Sequence, residues 1–165
     1  MTNGLKMEAG ADREVVVTRG FDAPRRLVFD AFTKPEMIKR WMLGPDGWTM
    51  PVCEMDLRAG GAYRWVWQKG ENGTQMSVAG VFREVAAPER LVHTEQFDPP
   101  WYPGEAVITT GFAEQGGKTA LTLTIVYPSQ ETRDNVLKSD MKKGMEQSYG
   151  RLERILASAD ARAAR

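Results

Sequence analysis

The chain has 165 residues, enough for one domain with a substantial core. Lys and Arg together number 22, as do Asp and Glu, and no basic cluster disturbs the balance, which argues against nucleic acid or anionic membranes as partners. One cysteine and one histidine exclude an intramolecular disulfide and a multi-histidine or multi-cysteine zinc site, and no apolar run approaches the ~20 residues of a membrane span.

Residues 1–12, MTNGLKMEAGAD, carry no apolar leader and read as a disordered lead-in; with the single thiol this fits a reducing cytoplasm. Glu14 to Arg19 (EVVVTR) is a β-branched run and reads as a first strand. Pro24 suits the first turn of a helix, with Asp22 or Ala23 near its cap, and Leu27, Val28, Ala31 and Phe32 share a helical face. Thr33 as cap and Pro35 in the first turn start a second short helix carrying Met37, Ile38, Trp41 and Met42, which Gly44-Pro45-Asp46-Gly47 ends.

From Trp48 to Tyr127 the period changes to two. Strands are expected over Trp48–Leu57, Ala62–Gln68, Gln75–Val85, Arg90–Phe97, Ala106–Ala113 and Lys118–Tyr127. Turns fall at Gly60-Gly61, Asn72-Gly73, Pro88 and Gly116-Gly117, and Asp98–Gly104 is a proline-rich loop bearing Trp101 and Tyr102. A long helix then runs from Ser129, its N-cap, to about Ser158, roughly 40 Å at 1.5 Å per residue. Leu137, Met141, Met145, Tyr149, Leu152, Ile155 and Leu156 lie along one face, interrupted by Gly144 and Gly150. An antiparallel sheet with one apolar face needs a cover, and this helix supplies it. The expected fold is α+β: a sheet curved around one long helix, two short helices between strands one and two, a single domain over 13–158 and a tail at 159–165.

No Walker A motif, dinucleotide-binding glycine pattern or nucleophile elbow occurs, so no complete catalytic motif or cofactor site is expected. Cys53 sits in a strand and reads as an inert thiol. Arg64 and Arg83 read as surface strand positions, and Glu54 and Asp56 give an unsupported metal reading. His93 and Glu95 are two apart on one strand and share a face with Leu91 and Phe97. That pair can orient a polar ligand group or serve as acid and base, or be no more than a hydrogen-bonded interior pair.

The runs TRGFDAPRRLVFDAFTKPEMIKRWMLGP, EMDLRAGGAYRW, GVFREVAAPERLVHTEQF, GGKTALTLT and GMEQSYGRLERIL resemble the START-like superfamily. Within it they are similar to homologues of the C-terminal domain of the heat-shock-protein ATPase activator. The resemblance implies a helix-grip architecture in which seven antiparallel strands hold the terminal helix, often around an apolar cavity. It also recasts Gly144 as a site of close approach. Met145 stands where tryptophan is common, and Tyr149 where leucine is common.

Expected candidates to line such a cavity are Trp41, Trp48, Met50, Trp65, Trp67, Met76, His93, Glu95, Phe97, Phe112, Met141, Met145 and Tyr149, which otherwise make an ordinary core. The first functional expectation is a binder of a hydrophobic small molecule such as a lipid, polyketide or aromatic metabolite. The alternatives are a protein-interaction module with a chaperone as partner, and a cyclase-, dehydratase- or hydrolase-type enzyme using His93 and Glu95. Trp101 and Tyr102 can gate a pocket mouth or pack at an interface. Monomer and homodimer both fit.

Overall fold

In the computed structural model, residues 3–163 are described. The first strand is β1 (Lys6–Ala9), followed by β2 (Glu14–Phe21), the helices α1 (Arg25–Thr33) and α2 (Pro35–Trp41), and then β3 (Trp48–Met55) and β4 (Ala62–Lys69). β5 (Gln75–Ala86), β6 (Arg90–Asp98), β7 (Ala106–Gln115) and β8 (Lys118–Val126) complete one antiparallel sheet, ordered β1-β2-β8-β7-β6-β5-β4-β3. The helices α3 (Gln130–Leu137) and α4 (Met141–Ala163) end the chain.

The sheet has eight strands, not seven. The additional strand is β1, inside the segment expected to be a disordered lead-in. It pairs with β2 from Lys6↔Thr18 to Ala9↔Val15, and Leu5 and Met7 pack on the main core. Leu5, Met7 and Ala9 alternate with Lys6 and Glu8 as a strand's residues should, but so short a run between Gly4 and Gly10 is a weak signal beside the polar composition of the segment. Arg133 of α3 holds the connection, its Nη1 donating to Ala11 O at 2.9 Å and Glu14 O at 3.2 Å. At the other end α4 extends to Ala163, into the expected tail. The outermost parts of both expected segments, residues 1–2 and 164–165, lie outside the described residues.

The long terminal helix is two helices. Ser129 caps α3 as expected, accepting from Thr132 N at 3.1 Å. Ser139 then breaks the run: its hydroxyl donates to Val136 O at 2.6 Å and accepts from Met141 N at 3.3 Å. A serine that bonds backbone on both sides ends one helix and starts the next. At the N-terminal helices the caps shift by one residue. Pro24 caps α1, and Lys34 rather than Thr33 caps α2. Thr33 instead returns its hydroxyl to Phe29 O at 2.8 Å.

Two apolar clusters fill the interior. The larger joins Val15, Val17 and Phe21 of β2, Phe29 and Phe32 of α1, Trp41 of α2, Leu121 and Leu123 of β8, and Tyr149, Leu152 and Leu156 of α4. Burial of each such side chain contributes about 1.5–3 kcal/mol. The smaller cluster holds Ile38, Met50, Tyr63, Trp65, Val78 and Phe82, between α2 and strands β3 to β5. Met42, Val85 and Phe97 pack against both. The α4 helix is fixed in register by Arg19, whose Nη1 lies 3.3 Å from Glu153 Oε1 and whose guanidinium sits 4.8 Å from the Phe21 ring. Among the described residues no helix is long and apolar enough to cross a membrane.

Candidate functional site

Between the two clusters, under α4, lies a cavity of about 220 Å³. Its walls come from both clusters: Phe32, Trp41, Leu91 and Ile108 on one side, Trp65 and Phe82 on the other. Large rings meeting across a bent sheet cannot close without a gap. Register shifts bend β3 between Thr49 and Val52 and β5 between Phe82 and Glu84. The second shift begins where Phe82 pairs with His93, and such irregularities re-aim neighbouring side chains. Trp101, 38 % exposed, also lines the cavity and brings that end of it to the surface.

Of the residues expected to line a pocket, Trp41, Trp65, His93, Glu95, Phe97, Met141, Met145 and Tyr149 all do. The remainder do not. Phe112 lies behind the wall, edge-on to Phe29 and Phe32 with centroids 5.3 and 5.5 Å away. Met50 is buried within the smaller cluster. Trp67 stacks on Phe97 at 6.3 Å and donates its Nε1–H to Met42 O at 2.8 Å, which ties β4 to the end of α2. Met76 pairs with Trp67 across the β4–β5 ladder, and Trp48, opening β3, pairs with Lys69.

The polar face of the cavity belongs to β6. Because side chains alternate along a strand, Leu91, His93, Glu95 and Phe97 all point inward, as their spacing predicts. His93 is enclosed by Tyr63, Phe82 and Trp65, with ring centroids 5.3, 5.9 and 6.5 Å away. Burial among these rings lowers its pKa to about 4, so the imidazole is neutral at pH 7. Its tautomer follows from the hydrogen bonds. The Tyr63 hydroxyl donates its proton to Thr94 O, and His93 Nδ1 stands 3.1 Å from that hydroxyl and 3.3 Å from Thr94 O. Two acceptors face Nδ1, so Nδ1 carries the hydrogen and Nε2 keeps its lone pair.

Glu95 is partly buried, and burial raises its carboxyl to about 7, against the lowering effect of a hydrogen bond from the Tyr102 hydroxyl, 2.9 Å from Oε1. Of the two groups, Glu95 is therefore the one that exchanges a proton near neutrality. Trp65, whose side chain lines the cavity, has its indole N–H buried out of reach and without a partner among the described residues. A buried donor left unpaired costs roughly 1–3 kcal/mol. Cys53, by contrast, is half-buried on β3, and burial pushes its thiol up to about 11; it stays protonated and outside the cavity.

Tyr102 is a site residue that sequence reasoning placed on the proline-rich loop, at a pocket mouth or an interface, without linking it to Glu95. The chain between β6 and β7 turns back so that this tyrosine is 5 % exposed and edge-on to Tyr127 at 5.2 Å, with its hydroxyl on Glu95. Proline-rich flanks announce a loop but not the direction in which its aromatics fold. Ser148 is a second such residue. It lines the cavity from α4 while its Oγ accepts from Gly44 N at 2.8 Å, which pins the α2–β3 connection to the helix.

The chain's relatives agree with this architecture. No curated protein matches it. A solved structure of a Rhodobacter sphaeroides protein is 29 % identical with a TM-score of 0.87, covering 94 % of this chain and 99 % of that one. One from Chromobacterium violaceum is 26 % identical with a TM-score of 0.73, over 87 % of this chain and 96 % of that one. One from Nitrosomonas europaea, at 24 % identity and a TM-score of 0.79 over 93 % and 99 %, shares the fold. The family described as activator of Hsp90 ATPase homolog 1-like protein matches residues 22–157, from the start of α1 through most of α4. With that span covering every wall of the cavity, the chain belongs to the activator of Hsp90 ATPase homolog 1-like family.

Proposed function

We propose that this protein binds a hydrophobic small molecule in the cavity between the sheet and α4. The observation that carries the reading is the composition of the walls: indole, phenyl and methionine side chains line about 220 Å³ together with the polar side chains of His93 and Glu95. Ligand sites are of this kind, mostly apolar with a few convergent polar groups. Met141 and Met145 on the α4 wall add adaptability, since unbranched thioethers repack around different shapes.

The family's description supplies a second reading, in which the domain engages a chaperone ATPase. The cavity favours the first. Acid–base catalysis by Glu95 is chemically open to a carboxyl titrating near 7, but it needs a bound substrate and so depends on the same cavity.

The test is calorimetry combined with native mass spectrometry against lipids and aromatic metabolites. The expected result is one-to-one binding that perturbs tryptophan fluorescence, because Trp41, Trp65 and Trp101 line the cavity. If nothing in the panel binds, and the protein instead captures and stimulates a chaperone ATPase, the interaction-module reading replaces this one.

A further inference from the structure

Glu95 is the single formal charge on the cavity wall; no lysine or arginine lines it. Nor does Glu95 join an ion pair among the described residues: its hydrogen-bond partner is the Tyr102 hydroxyl, on Oε1, and Oε2 is left without one. A carboxylate placed among aromatic rings without a counter-charge is costly unless a cation arrives with the ligand. We propose that the cavity takes a hydrophobic organic cation, an amine whose ammonium pairs with the Glu95 carboxylate while its apolar body fills the aromatic interior. This rests on the small-molecule reading above and specifies its ligand class.

Two features of the walls support a cation over an anion or a neutral molecule. Two acceptors on the β6 wall have no partner among the described residues: Glu95 Oε2 and, with Nδ1 turned to Tyr63 and Thr94, His93 Nε2. Ammonium N–H groups match acceptors of this kind, and a ligand carboxylate would instead meet Glu95 as a like charge. Trp65, Phe97 and Trp101 line the same space, and aromatic rings carry the quadrupole that attracts quaternary and protonated amines.

The groups facing Glu95 leave it as the titrating member of the set. Tyr63 of β4, Tyr102 of the β6–β7 loop and Tyr127 after β8 are all pushed above the ordinary phenol value by burial and by Glu95 itself. Tyr149 on α4 is likewise raised by burial, and His93 is lowered to about 4. Glu105, beyond Tyr63, lies 3.8 Å from Arg83. Between about pH 5.5 and 8, the cavity's charge therefore follows Glu95 alone, and amine affinity should fall with it on acidification.

The experiment is calorimetry on the full chain with two matched triads: tryptamine, tryptophol and indolepropionate, and octylamine, octanol and octanoate. At about pH 8 the amine of at least one triad should bind about tenfold or more tightly than its alcohol and its acid. Its affinity should drop about thirtyfold at about pH 5.5, as a carboxyl with a pKa of about 7 protonates. Glu95→Gln should abolish both the preference and the pH dependence, with near- and far-ultraviolet circular dichroism spectra like those of the wild type showing that the variant is folded. Tyr102→Phe, which keeps the ring, should move the midpoint of the pH dependence upward. Alcohols or acids that bind as well as the amines would overturn the cation while leaving the binding cavity intact. Failure of all six probes to bind would overturn the cation, and the small-molecule reading would then stand or fall on the lipid and metabolite panel.

Discussion

The Tyr102 hydroxyl donates to Glu95 Oε1 at 2.9 Å, joining a proline-rich loop to the inward face of β6. A donor stabilises the ionised carboxyl and so lowers its pKa, but burial outweighs it and leaves Glu95 at about 7. In Tyr102→Phe the donor is gone and the burial remains. Glu95 should then titrate above its wild-type value, as read from the side-chain carboxyl carbon by NMR. An unchanged or lower value would show that this bond does not govern the group.

His93 and Glu95 should give stability opposite dependences on pH. Glu95 moves from 4.5 to about 7 on folding, so between those values the native state holds a proton that the unfolded chain releases. Stability from this group falls as pH rises through that window. His93 moves from 6.5 to about 4, so between those values the unfolded chain holds the extra proton and stability rises with pH. The two slopes oppose each other between about 4.5 and 6.5. Glu95→Gln should therefore steepen the rise of stability with pH relative to wild type, and His93→Gln should turn it toward a fall. One proton sets a limiting slope of about 1.4 kcal/mol per pH unit. Urea denaturation from about pH 4 to 8 reads it directly. Parallel curves for wild type and both variants would show that neither group shifts on folding.

Much of this arrangement is legible from residue order, and the exceptions have physical causes. Alternation along β6 places His93 and Glu95 inward because strand side chains strictly alternate, and Leu91 and Phe97 mark the buried parity. The apolar stripe of α4 is equally readable from its spacing. The gap at Ser139 is not, because a serine in a helical pattern signals a break only when its hydroxyl actually bonds backbone on both sides. Phe112 shows a different limit. Its inward parity on β7 is correct, but Phe29 and Phe32 stand between it and the space. Periodicity tells which way a side chain points and not what it meets. Tyr102 and Ser148 reach the site through loop path and helix docking, which depend on contacts distant in sequence.

Tyr149 and Met145 separate packing from cavity shape on the same helix. Tyr149 is 3 % exposed and lies edge-on to Phe21 at 5.8 Å and close to Trp41 at 5.7 Å. Its hydroxyl makes no hydrogen bond among the described residues, so Tyr149→Phe should cost less than about 1 kcal/mol, whereas Tyr149→Ala should cost about 3–5 kcal/mol. Met145 is half-buried on the wall. Met145→Trp should leave denaturation close to wild type and weaken binding of any cavity ligand about tenfold by occupying its space. Wild-type affinity in that variant would place the ligand elsewhere.

The last prediction contrasts two glycines. Gly144 sits in the first turns of α4 above the Gly44–Pro45 turn, where the family resemblance implies that something comes close. A Cβ built there would meet Pro45 Cδ at 3.7 Å and Gly44 Cα at 4.0 Å, which are ordinary contact distances. The close-approach expectation is therefore corrected: alanine fits. Gly80 on β5 is the opposite case. A Cβ there would lie 2.0 Å from Thr94 O and 2.8 Å from Tyr63 Cε1, and Thr94 O and the Tyr63 hydroxyl are the two groups that face His93 Nδ1. Gly144→Ala should raise stability by up to about 1 kcal/mol through helix propensity and reduced unfolded-state freedom. Gly80→Ala must displace backbone or the Tyr63 ring, and should cost about 2–4 kcal/mol. It should also disturb the His93 ring resonances, because Tyr63 can no longer both pack against β5 and present its hydroxyl to Nδ1. Denaturant midpoints of the two variants against wild type decide the matter: a stabilised Gly80→Ala would show that β5 and β6 are not held as closely as their contacts require.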